Sequence, residues 1–166
     1  MKQIVFCFSL IQSFVPWLYY YLCLKFGSQK ALALQYDISR YRTSFFRFFT
    51  HRYNRNLYYH RFRRTPAELF RLFAPAEASL RLPANQMGGV HLVHPWNTIL
   101  NAKSIGRNFA VYHNVTIGAK GPARPIIGDD VQIFVGAIVI GGIKVGNNVL
   151  IGAGVLLRKM FLTIVL

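Results

Sequence analysis

An aliphatic residue returns at every sixth position through the second half of the chain, with one interruption. The residues that share this spacing are Met87, Val93, Ile99, Ile105, Val111, Ile117, Ile127, Ile133, Val139, Val145, Ile151 and Leu157. A period of six fits neither an α-helix nor a plain amphipathic strand, but it fits a short strand followed by a turn. Three such units close one triangular coil, and stacked coils align the aliphatic residues in an inward ladder. The pattern predicts a mainly β protein with a left-handed parallel β-helix of hexapeptide repeats over residues 84–159.

The residues between the aliphatic positions are suited to tight corners. Glycine follows the aliphatic residue in half of the repeats, and the pairs Asp129-Asp130 and Asn147-Asn148 are typical of turns. The interruption, from Ala119 to Ile126, adds residues without disturbing the ladder on either side. We therefore expect a projecting loop there, and loops on rigid scaffolds often carry function.

Residues 28–83 have a different pattern, in which aromatic residues and arginines alternate. Apolar positions such as Phe45, Phe49 and Tyr53 are four apart, which predicts amphipathic α-helices ahead of the β-helix. Thr65, Pro66 and Glu68 form the sequence of a capping box, so a short helix should begin after Thr65 and end before Pro75.

The first and last segments are apolar. Residues 1–27 contain no charge between Ile4 and Leu24, which is compatible with a membrane anchor, a buried helix or a misassigned translation start. Pro16 and a run of three tyrosines argue against a simple membrane-spanning helix. Residues 160–166 form an atypical tail in place of a polar cap on the last coil, which suggests C-terminal truncation.

The chain has a net charge of +15, and ten of its thirteen arginines lie between Arg40 and Arg81. Such a patch suits nucleic acid, an anionic membrane surface or a phosphorylated ligand. No RNA-binding motif accompanies it, so we favour helices that pack their aromatics inward and turn solvated arginines outward or onto a membrane. The two cysteines show neither a disulfide pattern nor metal-ligand spacing, so we predict no metal and a cytoplasmic protein, with association to a membrane as an open alternative.

The stretch "GGVHLVHPWNTILNAKSIGRNFAVYHNVTIGAKG" with "PIIGDDVQIFVGAIVIGGIKVGNNVLIGAGVLLRK" resembles the serine acetyltransferase branch of the hexapeptide-repeat acyltransferases. The resemblance covers about residues 30–159. It implies a homotrimer that binds acetyl-CoA, as co-substrate, between neighbouring subunits. It also implies a histidine that deprotonates an acceptor hydroxyl, and by motif position that histidine is His94. An imidazole that titrates near neutrality suits this role.

The resemblance assigns further residues to the site. Cofactor-binding positions that match the family are Gly118, Ala119, Ala137 and Lys159, and substrate-binding positions are Arg124 and His113. The expected function is a serine O-acetyltransferase-like transfer of acetyl to a hydroxyl, as in cysteine biosynthesis. Two alternatives stay open, a sugar O-acetyltransferase of polysaccharide biosynthesis and a truncated, noncatalytic β-helix scaffold.

Overall fold

The chain begins with a helical segment. The computed structural model describes residues 2–80, 82 and 88–158, with side chains from residue 12 onward. Its α-helices are α1 (Lys2–Lys25), α2 (Gln29–Arg40), α3 (Phe45–Thr50) and α4 (Arg52–Arg61), and a 3₁₀ helix, Pro66–Leu72, follows. The short helix predicted after Thr65 is thus present, and the Thr65 hydroxyl accepts a hydrogen bond from Ala67 N–H.

Helix α1 packs against the other helices. Tyr20 stacks on Phe45 with 5.1 Å between ring centroids, and the Tyr58 hydroxyl donates to the Pro16 carbonyl at 3.1 Å. Among the helices of the described residues, none combines the length and the apolar character that a bilayer crossing requires.

An aromatic core holds the helical segment together, as the alternation of aromatics and arginines predicted. Its fully buried aromatic side chains are Phe48, Phe49, Tyr58, Tyr59 and Phe62. The expectation that the arginines are solvated is wrong for Arg55 and Arg61, each of which is only 8% exposed. The Arg55 guanidinium donates to the Phe49 carbonyl in the last turn of α3 at 2.8 Å, and to the Pro75 carbonyl beyond the 3₁₀ helix at 3.0 Å.

A buried ion pair joins the helical segment to the first coil. The Asp37 carboxylate, on α2, accepts hydrogen bonds from the Arg61 guanidinium on α4 at 2.9 and 3.1 Å. It also accepts from the N–H groups of Gly89 at 2.8 Å and Val90 at 2.9 Å. These four bonds give the buried charge the partners that it needs.

The rest of the described chain is a parallel β-helix, as the six-residue period predicted. Its short strands are β1 (His91–Leu92), β2 (Ile99–Leu100), β3 (Ser104–Ile105), β4 (Ala110–Val111), β5 (Thr116–Gly118), β6 (Ile126–Ile127), β7 (Gln132–Ile133), β8 (Ile138–Ile140), β9 (Lys144–Val145), β10 (Leu150–Ile151) and β11 (Leu156–Arg158). All strand pairs are parallel and form three sheets: sheet 1 (β1, β4, β7, β10), sheet 2 (β2, β5, β8, β11) and sheet 3 (β3, β6, β9).

The inward ladder agrees with the predicted positions from Ile105 to Ile151 but not in the first coil. There Leu92 pairs with Val111 and Leu100 pairs with Ile117, so Leu92 and Leu100 point inward. The predicted inward residue Ile99 is 43% exposed. Six residues, 93–98, connect β1 to β2, whereas four connect β4 to β5, and the longer corner shifts the register. Met87, also predicted for the ladder, lies outside the described residues.

The corners between sheets 3 and 1 follow the predicted turn chemistry. The Asp129 carboxylate accepts from Arg107 N–H at 2.7 Å, and Asp129 N–H donates to the Asn147 side chain at 2.8 Å, so each corner is hydrogen-bonded to the next. Gly128 is required by space, because a Cβ there would lie 2.6 Å from the Gly146 carbonyl oxygen.

The predicted projecting loop is a tight hairpin at the corner between sheets 2 and 3. Lys120 and Ala123 pair as an antiparallel bridge, and Gly121 at the turn has φ +60°. The Pro125 carbonyl then accepts from Lys103 N–H at 2.8 Å, which returns the chain to the coil before β6 begins.

Replacing Asp37 tests the junction. Asp37→Ala leaves Arg61 buried without its carboxylate, and we expect a loss of about 3–5 kcal/mol in the free energy of unfolding. Urea unfolding followed by far-ultraviolet circular dichroism measures it. Arg107→Gln, which removes the exposed pair of Arg107 with Asp129, is the control and should change stability little. Equal effects of the two variants would contradict this role of Asp37.

Candidate active site

The longer corner of the first coil carries His94. His94 has φ +48° and Asn97 has φ +52°, both in the left-handed region, and the intervening Pro95 is buried. Trp96 N–H donates to the His94 carbonyl at 2.8 Å, which closes a tight turn around Pro95. The turn leaves the His94 side chain exposed at the corner between sheets 1 and 2. We call this corner, with the residues stacked on it from coil to coil, the histidine corner.

His94 lies in a row of aromatic rings. Its imidazole stacks on the Trp96 indole at 5.1 Å between centroids and 16° between planes. The Tyr53 and His94 rings meet edge to face at 6.3 Å between centroids, and His51 stacks on Tyr53 at 5.3 Å. Trp96 in turn lies 6.4 Å from the His113 ring. The rings thus limit the orientations that the exposed His94 imidazole can take.

The structure brings the predicted residues His94 and His113 together. His113 occupies the same corner one coil later, where Asn114 N–H donates to the Trp96 carbonyl at 3.0 Å. The Asn97 side-chain amide also donates to the Asn114 side-chain oxygen at 3.2 Å. The two imidazoles therefore flank Trp96 on one edge of the β-helix.

The predicted cofactor residues are divided between the two ends of sheet 2. Gly118 ends β5, and Ala119 and the exposed Arg124 follow it in the hairpin, at the opposite end of the sheet from the histidine corner. Ala137 comes just before β8 at the histidine corner. Lys159 lies outside the described residues.

Ala137 differs from Gly118 and Ala119 because it is fully buried. Its N–H donates to the Phe134 carbonyl at 3.3 Å, and its carbonyl accepts from Thr116 N–H at 3.0 Å. Both backbone polar groups are engaged within the coils, and binding of the cofactor by Ala137 stays a prediction. In the chain as described, Ala137 shapes the core beneath the corner.

Two residues of the site were missed from the sequence. Trp96 could have been found, because it stands two positions after His94 in the motif "HPWN". Tyr53 could not, because it lies 41 positions upstream and reaches His94 only through the packing of α4 on the first coil. The aromatic pattern of residues 45–62 predicted a helix but not its neighbour.

The five side-chain carboxylates all have hydrogen-bond partners, and Ser79, the partner of Glu77, also accepts from Asn97 N–H at the histidine corner at 3.4 Å. The pairs are Asp37 with Arg61, Glu68 with Arg64 N–H, Glu77 with Ser79, Asp129 with Arg107 and Asp130 with Asn108. Among the described residues, no hydrogen bond joins a carboxylate to the His94 imidazole, whose contacts are with the Trp96 and Tyr53 rings. Among the described residues, no cluster of three or more His, Cys, Asp or Glu side chains is arranged to hold a metal ion.

Comparison with known proteins places the repeats in a family. Residues 124–159 match the model of the bacterial transferase hexapeptide (six repeats). A stretch of 54 residues is 48% identical to serine acetyltransferase of Staphylococcus aureus (strain N315), covering 30% of this chain and 25% of the relative. A putative serine acetyltransferase of Schizosaccharomyces pombe is 31% identical over 83 residues, covering 46% and 31%. Residues 124–159 are thus hexapeptide repeats, and part of this chain is similar to part of the serine acetyltransferases.

Solved structures extend the likeness in fold beyond the repeats. The serine acetyltransferase of Brucella abortus strain S19 superposes with a TM-score of 0.61 at 21% identity, covering 81% of this chain and 64% of that one. A serine acetyltransferase in complex with cysteine gives a TM-score of 0.60 at 16% identity, covering 82% and 66%. The hexapeptide-repeat protein spans about a quarter to a third of the sequence relatives that it matches.

The remaining histidine of the first coil, His91, provides a pH test of the site's electrostatics. Partial burial, with the nearby Arg40 guanidinium, lowers the pKa of His91 below its usual range because both disfavour the imidazolium form. Arg40→Gln removes the positive charge and should raise the pKa of His91. NMR titration of the histidine ring protons measures it, with Arg64→Gln as a control that leaves it unchanged. A fall or no change on Arg40→Gln would contradict this assignment.

Proposed function

We propose that this protein is an acetyl-CoA-dependent O-acetyltransferase in which His94 is the general base. The observation that carries the proposal is the position of His94, exposed at one end of sheet 2 of a hexapeptide β-helix, with His113 one coil away. The predicted cofactor positions Gly118 and Ala119 lie at the other end of the same sheet, beside the exposed basic residues Lys120 and Arg124. A long co-substrate with a thioester at one end and phosphates at the other fits this separation.

The reaction requires one proton transfer in each direction. His94 takes the proton of the acceptor hydroxyl as its oxygen attacks the thioester carbonyl carbon, and the imidazolium then gives that proton to the departing coenzyme A thiolate. The imidazole is held in place for both transfers by stacking on Trp96 and by an edge-to-face contact with Tyr53. His113 would contact the acceptor. Arg124, predicted to bind the acceptor, lies at the other end of sheet 2 and would instead contact the phosphates of the co-substrate.

The acceptor is either serine or a sugar hydroxyl. Relatives named serine acetyltransferase support serine. A hydroxyl of a surface polysaccharide is the alternative, because the relatives named serine acetyltransferase match this chain over only 25% and 31% of their own length.

His94→Ala tests the chemistry. We expect it to lower acetyl-CoA-dependent thiol release by about 10²–10⁴-fold, because loss of a general base costs that much. Release is followed with a thiol reagent in the presence of serine and of a panel of sugars. His60→Ala, a histidine on α4 away from the histidine corner, is the matched control and should retain full activity.

The possible results separate the candidate functions. Serine-dependent release that disappears in His94→Ala supports serine acetyltransfer, and sugar-dependent release supports polysaccharide modification. Release that survives in His94→Ala rules out His94 as the base. If no acceptor supports release, the noncatalytic scaffold becomes the better account.

We also propose that the protein assembles as a homotrimer through sheet 2. The strand register aligns an outward column of Ile99, Thr116, Ile138 and Leu156 across the four coils. Two of these side chains, Ile99 and Leu156, are 43% and 54% exposed, and an aligned apolar column of this kind is typical of a subunit contact. Threefold packing would then place the histidine corner and the hairpin beside a neighbouring subunit.

Ile138→Glu tests the assembly. It places a charge in the middle of the proposed contact, so we expect dissociation to monomers. Light scattering after size-exclusion chromatography should give three times the 19.0 kDa chain mass for the parent and one chain mass for the variant. Gln132→Glu, outward on sheet 1, is the control and should stay trimeric. A monomeric parent would contradict the proposal.

A further inference from the structure

A pocket of about 310 Å³ opens between α3, α4 and the α2–α3 connection. Its exposed lining includes Arg42, Arg47 and His51, and its buried lining includes Phe48 and Asn54. We call it the arginine pocket. Its volume is within the range of small-molecule binding sites.

Asn54 contributes an acceptor that nothing in the described structure satisfies. The residue is 1% exposed, and its side-chain N–H₂ donates to the Phe48 carbonyl at 3.1 Å. Its Oδ1 atom is buried and has no hydrogen-bond partner. Buried acceptors in native proteins are nearly always paired, so this atom suits a donor that arrives with a ligand, such as a hydroxyl.

The arginines of the pocket also lack partners of opposite charge. Neither Arg42 nor Arg47 makes an ion pair among the described residues, and none of the chain's five carboxylates lines the pocket. Two guanidinium groups with no protein carboxylate between them attract an oxyanion, to which each can donate paired hydrogen bonds.

The pocket shares a wall with the histidine corner. Tyr53 lines the pocket, and the same ring meets the His94 imidazole at 6.3 Å. His51, a second lining residue, stacks on Tyr53. A molecule seated in the pocket therefore lies one aromatic ring away from the proposed base.

From these observations we infer that the arginine pocket binds the acceptor, and that the acceptor is a saccharide carrying an oxyanion, either a carboxylate or a phosphate. The arginines bind the anionic group, and a sugar hydroxyl donates to Asn54 Oδ1. Another part of the same acceptor extends past Tyr53 towards His94. This inference rests on the proposed function and narrows its acceptor to an acidic sugar.

Calorimetric titration of the full chain tests the inference. Glucuronic acid and glucose 6-phosphate are the anionic probes, and glucose is the neutral one, all at low ionic strength so that charge is not screened. We expect at least one anionic probe to bind tenfold or more tightly than glucose. Preference for glucuronic acid identifies a carboxylate ligand, and preference for glucose 6-phosphate identifies a phosphate.

Charge removal locates the site. The double variant Arg42→Gln, Arg47→Gln should bind the preferred anionic probe at least tenfold more weakly. Arg64 is exposed and outside the pocket, so Arg64→Gln should not change the affinity. Both pocket arginines are exposed, so the variant should fold, and circular dichroism checks this. The inference would be overturned if glucose bound as tightly as the anionic probes, if neither anionic probe bound, or if the double variant kept the parent's affinity for the preferred anionic probe.

The titration contains no acetyl-CoA, so it measures binding alone and does not depend on acetyl transfer. The probes can therefore bind to a protein that shows no acetyl transfer, and acetyl transfer can occur in a protein that does not bind the probes. Failure of this inference is thus distinguishable from failure of the proposed function.

Discussion

The Asp37 carboxylate is the contact on which the arrangement of the site depends. It lies in the interior, where it binds the Arg61 guanidinium from one helix and the N–H groups of Gly89 and Val90 at the start of the β-helix. A buried charge tolerates few alternative arrangements, so these bonds fix how the helices sit on the first coil. The Tyr41 hydroxyl, which accepts from Leu92 N–H at 2.7 Å, strengthens the same junction. Tyr53 reaches His94 because of this docking.

Much of the β-helix could be predicted from the sequence, because each coil repeats the same local requirements. The aliphatic ladder from Ile105 and the Asx corners at Asp129 and Asn147 follow from spacing and turn chemistry alone. The first coil could not be predicted. Its corner is two residues longer, so Leu92 and Leu100 point inward in place of Val93 and Ile99. Because Val93 and Ile99 are also aliphatic, the six-residue period of the sequence does not reveal this change of register.

The candidate site was predictable only where it belongs to the repeats. His94 and His113 follow from motif position, and the structure brings them to one corner. The residues contributed by the helices depend on long-range packing, which a single sequence does not specify. From composition we likewise predicted that Arg55 and Arg61 lie on the surface. In the structure Arg55 donates to the Phe49 carbonyl, and Arg61 forms the buried ion pair with Asp37. The arginine pocket comes from the same helices, so the proposed acceptor side of the site is built by the segment with the weakest sequence signal.

The central claim is that acetyl-CoA lies along sheet 2 with its thioester next to His94. A structure of the protein with acetyl-CoA bound tests this claim most directly. A crystal structure of the complex should place the thioester carbonyl carbon beside the His94 imidazole, within reach of a hydroxyl that contacts both. The phosphates should lie near the hairpin that carries Lys120 and Arg124. A thioester bound away from the histidine corner, or no ordered binding to the β-helix, would contradict the account.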